Sequence, residues 1–436
     1  MDIYDLEAAF GAADVTSAAM RQAVSDWFAA YYEQSETAGS DPCQRVAYTV
    51  VNKLIKTIFA EYTASCDRPL GQQLLAALEP VKEEAVQLAL VGGECYLRPV
   101  LQPDGLRFLV VPRDRILIFQ RDLSGAPTDV GCAARSFREG LYYTLLERRT
   151  VDSRGYLTVK NQLFASRRAD ALGNPVSLHS LKEYEQLSAA YTYRQPVHSI
   201  GLIRLKTPML NCVDGSNDGV SVYAAALGLI AAINENEAQL RGEFQRGQSR
   251  ILVSRDLLDR DKRLTDNLFV GLDEDPDRVG ITIFAPQLRE KSFLDRKQEY
   301  LRNIESVIGL KRGMLSYVNE SQRTATEIAA SAAEFNLTVM GFQRMWVKAM
   351  EEALALAAVL AEIYSLPAGE PGRLSVDWGN GVLYDEDAQW EAYRVMVADG
   401  ILKPEIALGW RFNMPIATAE DLKAIRTKYM PEVVSG

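Results

Sequence analysis

His179 and His198 are the only histidines in the chain, so any imidazole acid–base or metal chemistry must start from them. Neither has an acidic or cysteine neighbour at ligand spacing, and both read as structural or surface residues. Asp385, Glu386 and Asp387 form a carboxylate run of the kind used in paired acid–base work. A helix beginning there would favour acidic residues on electrostatic grounds alone. The stretches VDGSNDG and VDWGNG have the Asp/Gly content of calcium loops but lack the alternating ligands and closing glutamate, and turns account for them. Cys43, Cys66, Cys95, Cys132 and Cys212 are scattered and odd in number, with no CxxC pair and no disulfide frame, which fits a reducing cytosol. The chain has no Walker phosphate loop, no HExxH and no GxSxG elbow. These residues read as no enzyme, and no cofactor or metal is expected.

One further stretch has the composition of a contact surface. GLKRGMLSYVNESQRTATEIAASAAEF, residues 309–335, opens with glycine-bounded basic and polar residues and runs without a break into a very long helical pattern. A loop of this kind is either a surface hairpin between two packed helices or a working tip that touches something. Gly309 and Gly313 lend such a segment backbone freedom to shift, or Lys311 and Arg312 cap the preceding helix.

The elements that must position it follow from periodicity. Residues 1–90 read as mostly helical, with TVVNKLIKTIFAEYTA and QLLAALEPVKEEAVQLALV as the clearest patterns. From Gly92 apolar and polar residues alternate, and residues 92–206 read as an antiparallel β-rich lobe. A Pro/Asn/Asp/Gly-dense loop follows, and Ser216 or Asp218 is placed to cap a helix bearing Val220, Tyr223, Leu227, Ile230, Leu240 and Phe244 at helical spacing. The strand-like pieces SRILVS and GITIFAP flank a charged segment. A second helix, from about Arg289, carries Phe293, Leu294, Leu301, Ile304 and Ile308 and stops at Gly309. Thr324 and Glu327 have capping-box spacing at the start of a helix running to about Tyr364, roughly 60 Å at the standard rise per residue. Its stripe comprises Ile328, Phe335, Val339, Phe342, Trp346, Met350, Leu354, Ala357 and Leu360. That length implies burial between subunits. The tail LSVDWGNGVLYDED reads as a strand, with helices over 385–430.

With 436 residues the chain is long enough for two or more lobes, and 47% hydrophobic with 24% charged residues is ordinary for a folded soluble protein. No apolar run approaches a membrane span, and the acidic start lacks the basic region of a secretion signal. A net charge of −10 excludes a broad basic clamp on nucleic acid, though not a surface past which nucleic acid slides.

In their order these features resemble the portal, or head-to-tail connector, proteins of tailed bacteriophages, especially long-tailed phages of Gram-positive hosts and their prophages. DGVSVYAAALGLIAAINE resembles the start of the family's first stem helix, and QSRILVSRDLL its exit into the clip. SYVNESQRTATEIAAS resembles the loop before the long helix, and LSVDWGNGVLYDED the strand after it. The resemblance covers most of the chain from about residue 45.

It implies an α+β portal fold: a wing over 1–217, stem helices over 218–246 and 289–309, and a clip over 247–288. A tunnel loop over 310–323, a long kinked helix over 324–364 and a C-terminal wing strand with a short crown over 365–436 complete it. The family forms homo-oligomeric rings, usually dodecamers, at one capsid vertex of the virion, assembled in the host cytoplasm. Double-stranded DNA enters and leaves through the hole. A terminase large subunit, a head-completion adaptor, and the major capsid and scaffolding proteins are the implied partners, with no membrane. Lys311, Arg312 and Arg323 would then meet phosphates, and Ser316, Asn319, Ser321 and Gln322 would make exchangeable polar contacts. Asp259, Arg260, Asp261, Lys262 and Arg263 would lie on a docking rim whose strands pair with those of neighbouring subunits. The other reading is a structural capsid or tail assembly protein that oligomerises through long helices without conducting DNA.

Overall fold

The computed structural model describes residues 3–32, 43–102, 105–185, 187–247, 250–254, 269–272, 282–284, 287–317, 325–356, 359, 361, 369–379, 386–412, 414–416 and 418–430. The chain begins with helices α1 (Ile3–Phe10), α2 (Ala18–Tyr32) and α3 (Val46–Ile58). After strand β1 (Thr63–Cys66) come α4 (Pro69–Leu78) and α5 (Lys82–Gly92). Helix α3 carries Val46, Val50, Val51, Leu54, Ile55 and Ile58 on one face, and all are buried. Helix α5 ends where Gly93 takes a left-handed conformation (φ 78°) that turns the chain directly into the first long strand.

The β-rich region contains β2 (Glu94–Gln102), β3 (Gly105–Pro112), β4 (Ile116–Arg121), β5 (Pro127–Arg138), β6 (Leu141–Val151), β7 (Leu157–Ser166), β8 (Asn174–Val176), β9 (Ala190–Thr192) and β10 (Ile203–Lys206). They form two sheets, ordered β10-β2-β3 and β4-β5-β6-β7-β8, with β9 also paired to β7. Every pairing in both sheets is antiparallel, as the alternating sequence predicts. Along β7, Leu157, Val159 and Leu163 turn inward while Lys160 and Gln162 face out. The apolar cluster of Tyr96, Ile116, Ile118, Val130, Cys132, Ile200 and Leu202 draws on both sheets. Its polar counterpart is Glu147 of β6, buried and paired with Arg98 of β2 and with Arg149 (2.6 Å). Burial would raise the Glu147 carboxyl's pKa, but the two guanidinium groups hold it below the usual range.

Helix α6 (Leu227–Arg246) leaves this region, and α7 (Glu290–Ile308) returns alongside it. Between them β11 (Arg250–Ser254), β12 (Phe269–Leu272) and β13 (Thr282–Phe284) form a three-stranded sheet. In it β11 is parallel to β12 and antiparallel to β13. The alternation of SRILVS and GITIFAP anticipates β11 and β13. The parallel strand β12 lies where the sequence reads as the end of a charged segment, because four residues of FVGL are too few to define a period.

Helix α8 (Ala325–Ala355) packs on α3, α4 and β10. Phe335, Val339, Phe342, Trp346, Met350 and Leu354 are buried there, inside the chain. The expectation that this stripe lies between subunits is corrected for those six residues, since the groove formed by α3, α4 and β10 already covers it. Ala357 and Leu360, and the side chain of Ile328, lie outside the described residues.

The chain divides into two compact units, and the one described so far holds residues 1–58 and 65–374. The second comprises residues 59–64 and 375–436. Strand β14 (Leu374–Asp377) pairs with β1, and α9 (Glu386–Ala398), α10 (Pro404–Arg411) and α11 (Ala419–Tyr429) follow. In this smaller unit Trp378 packs on Phe59 and Tyr62, and Tyr393 meets Trp410 edge-on. Thr418 and Asp421 form a capping box on α11. Glu386 and Asp387 open α9, the position that favours acidic residues.

Candidate functional site

Two features position the loop after α7, and the first is the root of the α6–α7 pair, against which α7 packs. Residues 218–223 are stitched onto α5, α2 and the end of β10 before α6 begins. The Val222 N–H donates to Leu90 O (2.9 Å), the Thr207 hydroxyl to Val220 O (2.8 Å) and the Tyr223 hydroxyl to Trp27 O (2.8 Å). Asp218 is buried against Arg121 (2.5 Å) and Arg113 (3.8 Å). It is therefore not a helix cap: α6 starts at Leu227, with no side-chain cap at Ala226. Glu94, fully buried, accepts from the Gly219 N–H (2.6 Å), the Tyr96 hydroxyl (2.7 Å) and both Nε and Nη2 of Arg204. Burial alone would push its pKa up. The Arg204 guanidinium overcomes this, helped by Arg113 and Tyr96, and holds it at about 2. Gly93 and Gly219 touch back to back, and a Cβ on Gly219 would come within 2.1 Å of Gly93 O.

From this root α6 and α7 run antiparallel. Glu237 pairs with Lys297 (2.7 Å), Glu243 with Arg289 (2.8 Å), and Asn236 Nδ2 donates to Phe293 O (3.1 Å). Burial fades with distance from the root. Ile230, Ile233, Leu301, Ile304 and Ile308 are buried, whereas Phe244, Leu288 and Leu294 are exposed.

The second feature is the C-terminal end of α7. Gly309 is left-handed (φ 76°), its N–H donates to Ser306 O, and the Leu310 N–H donates to Glu305 O (2.8 Å). This is a Schellman closure, with Leu310 buried. Gly309 thus ends the helix. The chain then folds back along α7. Glu305 Oε1 accepts the N–H groups of Gly313 (3.0 Å), Leu315 (2.5 Å) and Ser316 (2.8 Å), and its Oε2 accepts the Ser316 hydroxyl (2.8 Å). Seven residues earlier on the same face, Gln298 Oε1 accepts the Tyr317 N–H (2.7 Å).

Of the residues singled out from the sequence, Lys311 and Arg312 are exposed side by side. Ser316 is buried with its hydroxyl taken by Glu305, so it does not offer the exchangeable outward contact expected of it. Asn319, Ser321, Gln322 and Arg323, and Asp259, Arg260, Asp261, Lys262 and Arg263, lie outside the described residues. So does Thr324. Glu305 and Gln298 were not found by sequence reasoning. The available signal was a glutamate in the last turn of α7, where the helix dipole disfavours it, just ahead of Gly309 and Gly313.

His179 and His198 are exposed. Among the described residues no cluster of three or more His, Cys, Asp or Glu is placed to hold a metal. Asp214 of VDGSNDG accepts from Ser17 Oγ (2.5 Å), Asn211 Nδ2 (2.8 Å) and the Ser216 N–H (3.0 Å), the pattern of a hydrogen-bonded turn. No described helix is long and apolar enough to cross a membrane.

The described residues thus contain a mixed α/β region, an antiparallel helix pair followed by a small sheet, and an anchored loop ahead of a long helix. Residues 140–430, more than half of the chain, match the family described as phage portal protein, SPP1 Gp6-like, and the chain belongs to it. It is similar to a solved chain from the neck of a native GTA particle computed with C12 symmetry. The two share 15% sequence identity at a TM-score of 0.46, over 92% of this chain and 96% of that one. No curated protein matches.

Proposed function

We propose that this portal protein assembles into a ring at one capsid vertex, and that double-stranded DNA enters and leaves the head through the hole. Portal-family membership over residues 140–430 carries the reading. Helices α6 and α7 act as the stem lining the channel, and the sheet β11–β13 with its connections acts as the clip. Residues 310–323 are the tunnel loop, α8 is the helix returning to the wing, and residues 365–436 complete the wing with a short crown. The apolar side chains left exposed along the stem, Phe244, Leu288 and Leu294, supply contact area for neighbouring copies.

The chemistry of passage follows from charge. Every phosphate held by Lys or Arg displaces counterions, which tightens binding and slows movement. A chain of net charge −10 with a few basic points, Lys311, Arg312 and Arg323, touches DNA weakly and without sequence preference. The chain does no catalysis itself; a separate terminase supplies the work. The terminase and a head-completion adaptor dock in turn on the clip around Asp259, Arg260, Asp261, Lys262 and Arg263.

Two sets of variants test this. Replacing Lys311, Arg312 and Arg323 by acidic residues leaves rings intact and changes the length of DNA packaged or retained. Normal packaging would move the channel contact elsewhere. Charge reversal at Asp259, Arg260 and Asp261 weakens motor binding with rings preserved. Survival of both packaging and motor binding would remove the docking assignment.

A further inference from the structure

The loop after α7 is organised around the carboxylate of Glu305. Glu305 is 1% exposed and sits in the last turn of α7, where the helix dipole opposes a negative charge. The helix end is already closed by Gly309 and Leu310. The described donors to the carboxylate all come from the loop, namely three backbone N–H groups and one hydroxyl. Burying a charge costs several kcal/mol unless hydrogen bonds replace its hydration, so a site lined by loop amides is a built feature.

We propose that Glu305 and Gln298 are positioning residues for DNA passage: they clasp residues 313–317 to α7 and so fix where Lys311, Arg312 and Tyr317 meet the duplex. The proposal rests on the loop being the element that touches DNA. Lys311 and Arg312 lie between two fixed points, the Schellman closure at Gly309–Leu310 and the first clasped amide at Gly313. Their height along α7 is set by backbone geometry and does not depend on their own flexible side chains. Tyr317 is 80% exposed while its N–H is held by Gln298. Its ring is therefore presented from an anchored backbone, and it joins the two cations as a contact residue. In a ring, every copy presents these three side chains at one level. A clasp also gives both glycines a role, since their positive φ (Gly309 76°, Gly313 95°) shapes the turn that brings 313–317 back onto α7.

The test uses the full chain with Glu305→Ala, Glu305→Gln and Gln298→Ala, read by amide hydrogen exchange, ring size and length of packaged DNA. In Glu305→Ala the amides of Gly313, Leu315 and Ser316 exchange about tenfold faster or more, the least expected on losing a charged acceptor. Glu305→Gln falls between, because its carbonyl still accepts from the backbone and its NH2 donates to Ser316 Oγ. Gln298→Ala frees Tyr317 alone. Rings persist in all three, and packaged length departs from wild type in the order Glu305→Ala, then Glu305→Gln. A purely structural role would give no graded rescue of DNA length. Unchanged exchange at Gly313, Leu315 and Ser316 overturns the clasp. Faster exchange with normal packaging, where acidic replacement of Lys311 and Arg312 alters packaging, overturns the positioning role and leaves the loop reading standing. Normal packaging in both sets removes the loop reading and the proposal with it. If Glu305→Ala does not fold, the Glu305→Gln and Gln298→Ala comparisons decide.

Discussion

Replacing Glu94 by glutamine should unfasten the root of the stem. In the folded chain the carboxylate is fully buried and binds Arg204, Tyr96 and the Gly219 N–H. Its pKa falls from an ordinary 4.5 to about 2, which corresponds to about 3 kcal/mol of stability. Because the folded pKa is the lower one, this contribution is fully present above pH 4.5 and is lost as the pH falls towards 2. At neutral pH, Glu94→Gln leaves the guanidinium of Arg204 without its buried counter-charge, at a cost of about 3–5 kcal/mol. The assay is urea unfolding followed by tryptophan fluorescence at pH 7 and pH 3, on wild type and variant. The wild type is expected to be well ahead at pH 7 and to lose about 2 kcal/mol of that lead at pH 3, with the remainder going as the pH falls through 2. Glu147 titrates in the same direction in both proteins, so the difference between them isolates Glu94. A variant within about 1 kcal/mol of wild type at pH 7, or with the same acid sensitivity, would refute the reasoning.

Trp346→Ala should destabilise the unassembled subunit by about 3–5 kcal/mol, because that side chain is buried inside the chain against neighbouring elements. A change in ring assembly with unchanged subunit unfolding would return the α8 stripe to an interface between copies. Phe244→Asp combined with Leu294→Asp should shift subunit stability by no more than about 0.5 kcal/mol per site, since both are exposed, while abolishing rings in mass photometry. Intact rings would place the subunit contacts elsewhere.

Long periodic segments were legible and local polar geometry was not. The pattern from Phe293 to Ile308 defines α7 to within a residue of its observed Glu290–Ile308, and the stripe from Phe335 to Leu354 is buried as its spacing requires. The antiparallel order of the β-rich lobe follows from alternation and turn residues. The start of α6 was misplaced because Asp218 looks like a cap. Its charge is instead consumed by Arg113 and Arg121, about a hundred residues away in the chain, a partnership that no local window contains. Strand β12 was missed because parallel pairing with β11 is a tertiary fact. Lys311 and Arg312 stood out by type, whereas Glu305 and Gln298 read as ordinary polar helix positions. What distinguishes those two is that the chain reverses onto them, and that reversal depends on backbone angles at Gly309 and Gly313.

The most direct test of the account is negative-stain imaging of the purified full chain at micromolar concentration and moderate salt. Closed rings with an open central hole wide enough for a DNA duplex are expected. A strictly monomeric protein, or assemblies without a hole, would contradict it.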